Sequence, residues 1–255
     1  MLITDTHTHL YSEQFDEDRY QMMQRALGSG VSRFFVPAID SSYTDAMLHL
    51  EADYPRNVFL MMGLHPTSVN ENYEGELLLV KKWLDKRQFY AVGEIGIDLY
   101  WDKKFLKQQQ DAFKRQLQWA KEKNLSVVIH IRDSFDEVFE VLDDVKDEHL
   151  RGIFHCFTGT FDQAKKALQY NMKLGIGGVV TFKNGKIDTF LHEIPLENIV
   201  LETDSPYLAP VPYRGKRNES SYLIKVLEKL VNIYNLTSEE IAHITTQNSK
   251  EVFGI

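Results

Sequence analysis

Cysteine is almost absent, with one residue, Cys156, in a chain of 255. A single thiol excludes an internal disulfide, and with no export signal at the N-terminus the expectation is a reducing, cytoplasmic location. Cys156 itself reads as a small buried apolar residue beside His155. Long apolar runs are missing too, since nothing approaches the about 18 consecutive apolar residues that a membrane-spanning helix needs. A third absence is excess positive charge: 29 Lys and Arg stand against 37 Asp and Glu, for a formal charge of −8. Tight binding along a duplex without regard to sequence rests on clustered cations that neutralise phosphates. This balance argues against such binding and leaves only local basic patches. No low-complexity tract, linker or short internal repeat interrupts the chain.

What remains is an apolar content of 43% and enough length for one large barrel. Short β-rich runs alternate with longer amphipathic ones throughout. Candidate strands lie near Leu2–Thr6, Arg33–Val36, Val58–Met62, Tyr90–Glu94, Ser126–His130, Gly152–His155, Lys173–Ile176 and Ile199–Glu202. Helical stretches lie between them. In Lys104–Lys123 the residues Phe105, Phe113, Leu117 and Ala120 recur at roughly helical spacing and read as core. Pro206, Pro210 and Pro212 exclude a helix directly after the last strand; helical patterning resumes near Tyr222. A second start falls at Thr237-Ser238-Glu239-Glu240, where a hydroxyl caps free amides and Glu occupies the first turn. The pattern predicts an α/β fold, a single-domain (β/α)8 TIM barrel over residues 1–255, with an open doubly wound sheet as the rival.

In such a barrel, reactive residues come from the carboxyl ends of the strands. The first apolar run ends in His7 and His9, the fourth in Glu94, the fifth in His130 and the sixth in His155, and the eighth runs through Glu202 to Asp204. His65 follows the third. Side chains two apart on a strand share a face, so His7 and His9 can reach one cation. A carboxylate at the end of Ala91-Val92-Gly93 must be paired, protonated or metal-bound, because burying it alone costs several kcal/mol, roughly. Four imidazoles and two carboxylates suit Zn, Mn, Fe or Ni, with Mg able to occupy an oxygen-rich half. Six ligands exceed the need of one tetrahedral ion. The expectation is therefore two divalent metal ions, one held by His7, His9 and Asp204, the other by His130 and His155, with Glu94 bridging. Such a pair suits hydrolysis by a shared hydroxide.

Five motifs then stand out: Asp5-Thr6-His7-Thr8-His9, Gly93-Glu94-Ile95-Gly96-Ile97-Asp98, Ile129-His130-Ile131-Arg132, His155-Cys156-Phe157-Thr158-Gly159 and Glu202-Thr203-Asp204-Ser205-Pro206-Tyr207-Leu208. In this order, and followed by the loop Pro210–Glu219, they closely resemble the TatD family of metal-dependent deoxyribonucleases over nearly the whole chain. The resemblance implies a TIM barrel of the metal-dependent hydrolase superfamily and the same six metal ligands. It also implies DNase activity, often removal of nucleotides from single-stranded ends. Two positions depart from the family: Thr67 and Tyr213 stand where histidines are common, which bears on substrate contacts.

Asp204 is expected to be both ligand and general base, with Glu94 and His65 completing the catalytic set. His65 has three readings: a hydrogen bond to phosphate, protonation of the leaving group, or packing. Arg132 either grips phosphate or pairs with a carboxylate such as Asp98 or Glu202. Glu202 orients a ligand histidine through its other ring nitrogen. Arg214, Lys216 and Arg217 form a basic loop, and Tyr207, Tyr213 and Trp101 are candidates for base stacking. The expected partner is DNA, by its single-stranded ends, and the expected state a monomer or weak homo-oligomer. The rival functions are ester or amide hydrolysis of the amidohydrolase kind, for example deacylation of an aminoacyl-tRNA, and a non-catalytic metal-binding barrel.

Overall fold

Strands and helices alternate in the computed structural model, which describes residues 2–255. The strands are β1 (Ile3–Asp5), β2 (Val31–Val36), β3 (Val58–Leu60), β4 (Ala91–Asp98), β5 (Ser126–Arg132), β6 (Gly152–Phe154), β7 (Met172–Ile176) and β8 (Ile199–Leu201). Each of the first six is followed by a helix: α1 (Arg19–Gly28), α2 (Thr44–Asp53), α3 (Tyr73–Lys86), α4 (Leu106–Glu122), α5 (Phe135–Val145) and α6 (Phe161–Leu168). After β8 come α7 (Leu223–Tyr234) and α8 (Ser238–Phe253). Between β7 and β8 the alternation lapses into short 3-10 turns. Glycines and Pro195 break this stretch, and both residue types disfavour a helix interior.

All neighbouring strands pair in parallel, β1 to β3 in one run and β4 to β8 in another. Parallel bridges join the two runs at Met62 with Val92 and at Thr8 with Ser205. At the second seam Thr6 N donates to Leu201 O (2.9 Å), Asp204 N to His7 O (2.9 Å) and His9 N to Ser205 O (2.7 Å). The sheet is thus closed, which removes the open-sheet rival.

Along β2, β5, β6 and β8 the buried residues alternate between two clusters. Phe34, Val36, Val127, Ile129, Phe154 and Leu201 belong to the large cluster that the helices cover. Phe35, Met61, Ala91, Val128, Ile153 and Val200 form a second, smaller one with Val252 and Phe253 of α8. The second cluster is the barrel interior, with one residue from each of β2, β4, β5, β6 and β8 and Met61 just after β3, and Phe253 stacks on Phe35 (3.6 Å between centroids) to close its floor. One pleat repeat further along, about 6.6 Å, the same strands present His130, His155 and Glu202. The polar layer therefore rests on a dry apolar floor.

Candidate metal centre

Two strands run further than the sequence predicts. Both β4 and β5 continue, to Asp98 and Arg132, so Glu94 and His130 lie within strands. Pairing between β4 and β5 slips between Val92 and Ile95. Beyond the slip Ile95 and Ile97 join the outer cluster, which turns Glu94, Gly96 and Asp98 towards the barrel interior. An irregularity that re-aims side chains in this way is common beside active sites.

Glu94 is the hub of the polar layer. Its Oε2 lies 3.1 Å from His7 Nε2 and 3.7 Å from His9 Nε2. Its Oε1 lies 2.8 Å from His130 Nδ1, 3.3 Å from His65 Nε2 and 3.7 Å from His155 Nε2. Asp204 Oδ1 faces His9 Nε2 (3.5 Å) and the Nε2 atoms of His7 and His155 (both 3.9 Å). Three overlapping groups can each gather ligand atoms within 4.8 Å: His7, His9 and Glu94; His7, His155 and Asp204; His65, Glu94 and His130.

These groups are held from behind. His155 Nδ1 lies 3.0 Å from Glu202 Oε1, as expected of an orienting carboxylate. Gly175 makes room for it, because a Cβ there would meet Glu202 Oε2 at 2.2 Å. His130 Nε2 lies 2.8 Å from Asp98 Oδ2, a support the sequence reading missed. The continuing alternation of Ile95 and Ile97 was the available signal. Asp98 is itself fixed by Tyr100 N, which donates to its Oδ1. His9 Nδ1 meets the Tyr11 hydroxyl at 2.9 Å, and that hydroxyl donates to Pro37 O. Asp5, also missed, accepts from Thr203 N, Thr203 Oγ1 and Ser220 Oγ and so ties β1 to the segment after β8.

Burial opposes charge throughout this layer, and the neighbours decide who carries it. Burial works to raise Glu94, but His65, His7, His155 and His130 hold it well below the usual carboxylate range. Asp204 is likewise held low, burial being outweighed by His9, His155 and His7. Burial pushes His7 and His65 down. His155 goes the other way: Glu202, Glu94 and Asp204 overcome burial and raise it to about 10. Thr67 N donates to His65 Nδ1 (3.1 Å), which leaves the proton of the neutral ring on Nε2, towards Glu94.

A cation accounts for this arrangement better than the side chains do alone. The Nε2 atoms of His7 and His9 approach to 3.3 Å, while the buried His7 Nδ1 has no hydrogen-bond partner. Several imidazole nitrogens thus converge on two carboxylates, a donor set that fits divalent ions. The cluster opens into a cavity of about 760 Å³ whose lining includes His65, Arg132 and Tyr207.

Residues 4–254 match the family described as TatD related DNase. The chain belongs to the TatD family. Among its relatives, the uncharacterised metal-dependent hydrolase YabD of Bacillus subtilis is 37% identical over the full length of both chains. YcfH of Escherichia coli, also an uncharacterised metal-dependent hydrolase, is 31% identical over 100% of this chain and 97% of its own. The crystal structure of the TatD homologue YjjV from Escherichia coli superposes with a TM-score of 0.92 at 29% identity, covering 99% of this chain and 98% of the other. A TatD family hydrolase of Entamoeba histolytica, 21% identical over 99% and 98% of the two chains, shares the fold (TM-score 0.85). This TatD chain is therefore a metal-dependent hydrolase with a TIM-barrel fold, and its buried cluster is consistent with a binuclear site.

Substrate candidates fare unevenly. Tyr207 lies at the cavity mouth, 53% exposed, with its ring edge-on to His9 at 6.1 Å. Arg132 pairs with neither Asp98 nor Glu202; its guanidinium lies 3.6 Å over the Tyr100 ring. Arg214 does not line the cavity and lies over Phe182 (4.0 Å). Arg217 is engaged by Asp18 (2.7 Å) and is not free for phosphate. Tyr213 stacks on Tyr222 at 3.9 Å, in a packing role. Among the described residues no helix is long and apolar enough to cross a membrane.

Proposed function

We propose that this TatD protein is a divalent-metal-dependent deoxyribonuclease that hydrolyses phosphodiester bonds, acting as an exonuclease on single-stranded ends. The division of Glu94 carries this reading: one carboxylate oxygen faces His7 and His9, the other His130, His65 and His155. His7, His9 and Asp204 would hold one ion, His130 and His155 the other, with Glu94 between them. Bound ions of this kind acidify a water towards neutral pH and offset charge building on a phosphoryl oxygen.

The chain's own groups do the rest. Asp204 is held ionised and faces the cavity, so its carboxylate accepts the proton of the attacking water. His65 keeps its N–H on Nε2 at the cavity wall and donates a hydrogen bond from it to a phosphate oxygen. Tyr207 and Arg132 take the flanking nucleotide by stacking and charge. Zn, Mn, Fe, Ni and Mg all suit the donor types. The cavity falls within the range that holds a nucleotide-sized group, about 300–1,000 Å³.

The test is incubation of end-labelled single- and double-stranded DNA and RNA with Mg, Mn or Zn, beside His130→Ala. Stepwise shortening of single-stranded DNA by the parent alone is the expected result. Absence of metal-dependent cleavage of every nucleic acid, together with turnover of an ester or amide panel, would replace this reading by the amidohydrolase one. If Asp204→Asn kept both metals and near-normal turnover, Asp204 would not be the base.

A further inference from the structure

The loop between β4 and α4 exposes two adjacent aromatic rings, Tyr100 (51% exposed) and Trp101 (76% exposed). Burying a ring of this size in the core would stabilise the fold, so its presentation to solvent needs another reason. The two rings stand at 86° with centroids 4.8 Å apart, and so form a step. The Arg132 guanidinium rests over that step, its central carbon 3.6 Å from the Tyr100 ring centroid and 5.9 Å from that of Trp101. Among the described residues no carboxylate pairs with it. Arg132 also lines two cavities: the metal cavity, and a second one of about 660 Å³ lined by Phe161, Phe190 and Lys186. The cavities share Ile131, Arg132 and Thr158.

We propose that Tyr100, Trp101 and Arg132 form a stacking platform for one unpaired nucleobase of the strand whose phosphodiester lies at the metal cluster, a specificity device that rests on the nuclease reading. A guanidinium backed by a ring offers a flat, preordered surface, and flat surfaces of this kind take unstacked bases whatever their sequence. A base within a duplex has both faces covered by its neighbours and must leave the stack to reach it. The platform therefore selects for single strands. Asp133, Asp136 and Glu137 also line the second cavity. Their charge disfavours phosphate there, so stacking supplies the affinity and Arg132 is the cation on the platform itself.

Trp101 reports on its own role. With Trp83→Phe and Trp119→Phe it is the sole tryptophan of three, and chelator prevents cleavage during titration with a short oligothymidylate or a blunt duplex. Saturable quenching by the single strand and none by the duplex is expected. Trp101→Ala should weaken binding of a labelled oligothymidylate about tenfold and Trp101→Phe should restore most of it. The slope of log affinity against log salt should stay near about −0.7, as for one neutralised phosphate. Emission indifferent to the single strand, unchanged affinity in Trp101→Ala, or a slope several times steeper each overturns the platform. Cleavage by the metal-loaded parent is read separately. Cleavage with an unresponsive Trp101 rejects the platform alone, whereas a responsive Trp101 without cleavage of any nucleic acid supports the platform and rejects the nuclease reading.

Discussion

Among the buried histidines His155 sits between acids on both sides: Glu202 at Nδ1, and Glu94 and Asp204 near Nε2. Burial alone would lower its pKa, yet these neighbours raise it to about 10. A histidine raised on folding stabilises the fold fully below its unfolded value of about 6.5, and that contribution is lost as pH rises through about 10. Without a bound ion His155 thus carries a proton at neutral pH, and an ion taking Nε2 must displace it. The apparent affinity for Zn or Mn should therefore rise with pH up to about 10, with proton release on binding. Calorimetry in buffers of different ionisation enthalpy measures this; affinity flat between about pH 7 and 10 would contradict it. Asp98 makes a second prediction at this scale. Removing the partner of His130 Nε2 by Asp98→Ala should cost about 10- to 100-fold in metal affinity or turnover. Parent-like zinc binding together with parent-like rates would show that His130 is held by other means. The six candidate ligands stand out in the sequence because each follows an apolar run at a position where a buried polar group needs a reason, and the fold gathers them into one buried cluster. Asp98 is harder to read, because Glu94 looks like the end of its strand and only the alternation of Ile95 and Ile97 says that the strand goes on.

At the scale of the element, the slip in β4 is what separates reading from structure. Regular alternation would have sent Ile95 into the barrel; the irregularity sends Glu94 and Asp98 there instead and leaves Ile95 and Ile97 under the helices. Nothing in residue type alone marks such a slip, although Gly96, at φ 141°, tolerates the backbone it brings. Helix starts with side-chain caps were more legible. Thr237 accepts from Glu240 N while the Glu240 side chain accepts from Thr237 N, a reciprocal cap on α8. Thr237→Ala should cost about 1 kcal/mol of stability, read as a lower denaturant midpoint at unchanged slope. A midpoint unmoved within error would mean that α8 is held by packing alone. The turns between β7 and β8 were not foreseen, since the alternation of the first six units invites a helix that glycine and proline then prevent.

For the whole molecule, closure of the barrel was the part the sequence suggested but could not show, because its seam joins Thr6 to Leu201 across nearly the full chain. A network around Asp18 fastens the loop after β8 to α1: Arg217 and Arg25 both reach Asp18, and Arg25 also reaches Glu219. Arg217 and then Arg25 hold Asp18 down at about 2. A carboxylate lowered in this way stabilises the fold above its unfolded value of about 3.9 and ceases to as pH falls through about 2. Asp18→Asn should therefore be less stable than the parent at neutral pH, with the gap shrinking from about pH 4 downwards. Urea titrations across that range test it, and a constant gap would refute it. Chelation should lower the melting temperature of metal-loaded protein, since ions that bind only the folded form stabilise it by mass action; an unmoved transition would deny the ions a structural share. The floor of the polar layer is completed by Phe253 on Phe35, in a helix made after all eight strands. During synthesis on the ribosome, then, His7 and His9 emerge early but wait for α8 before the layer they belong to is sealed from below. A chain cut short before α8 would carry every residue of the cluster over an unfinished floor.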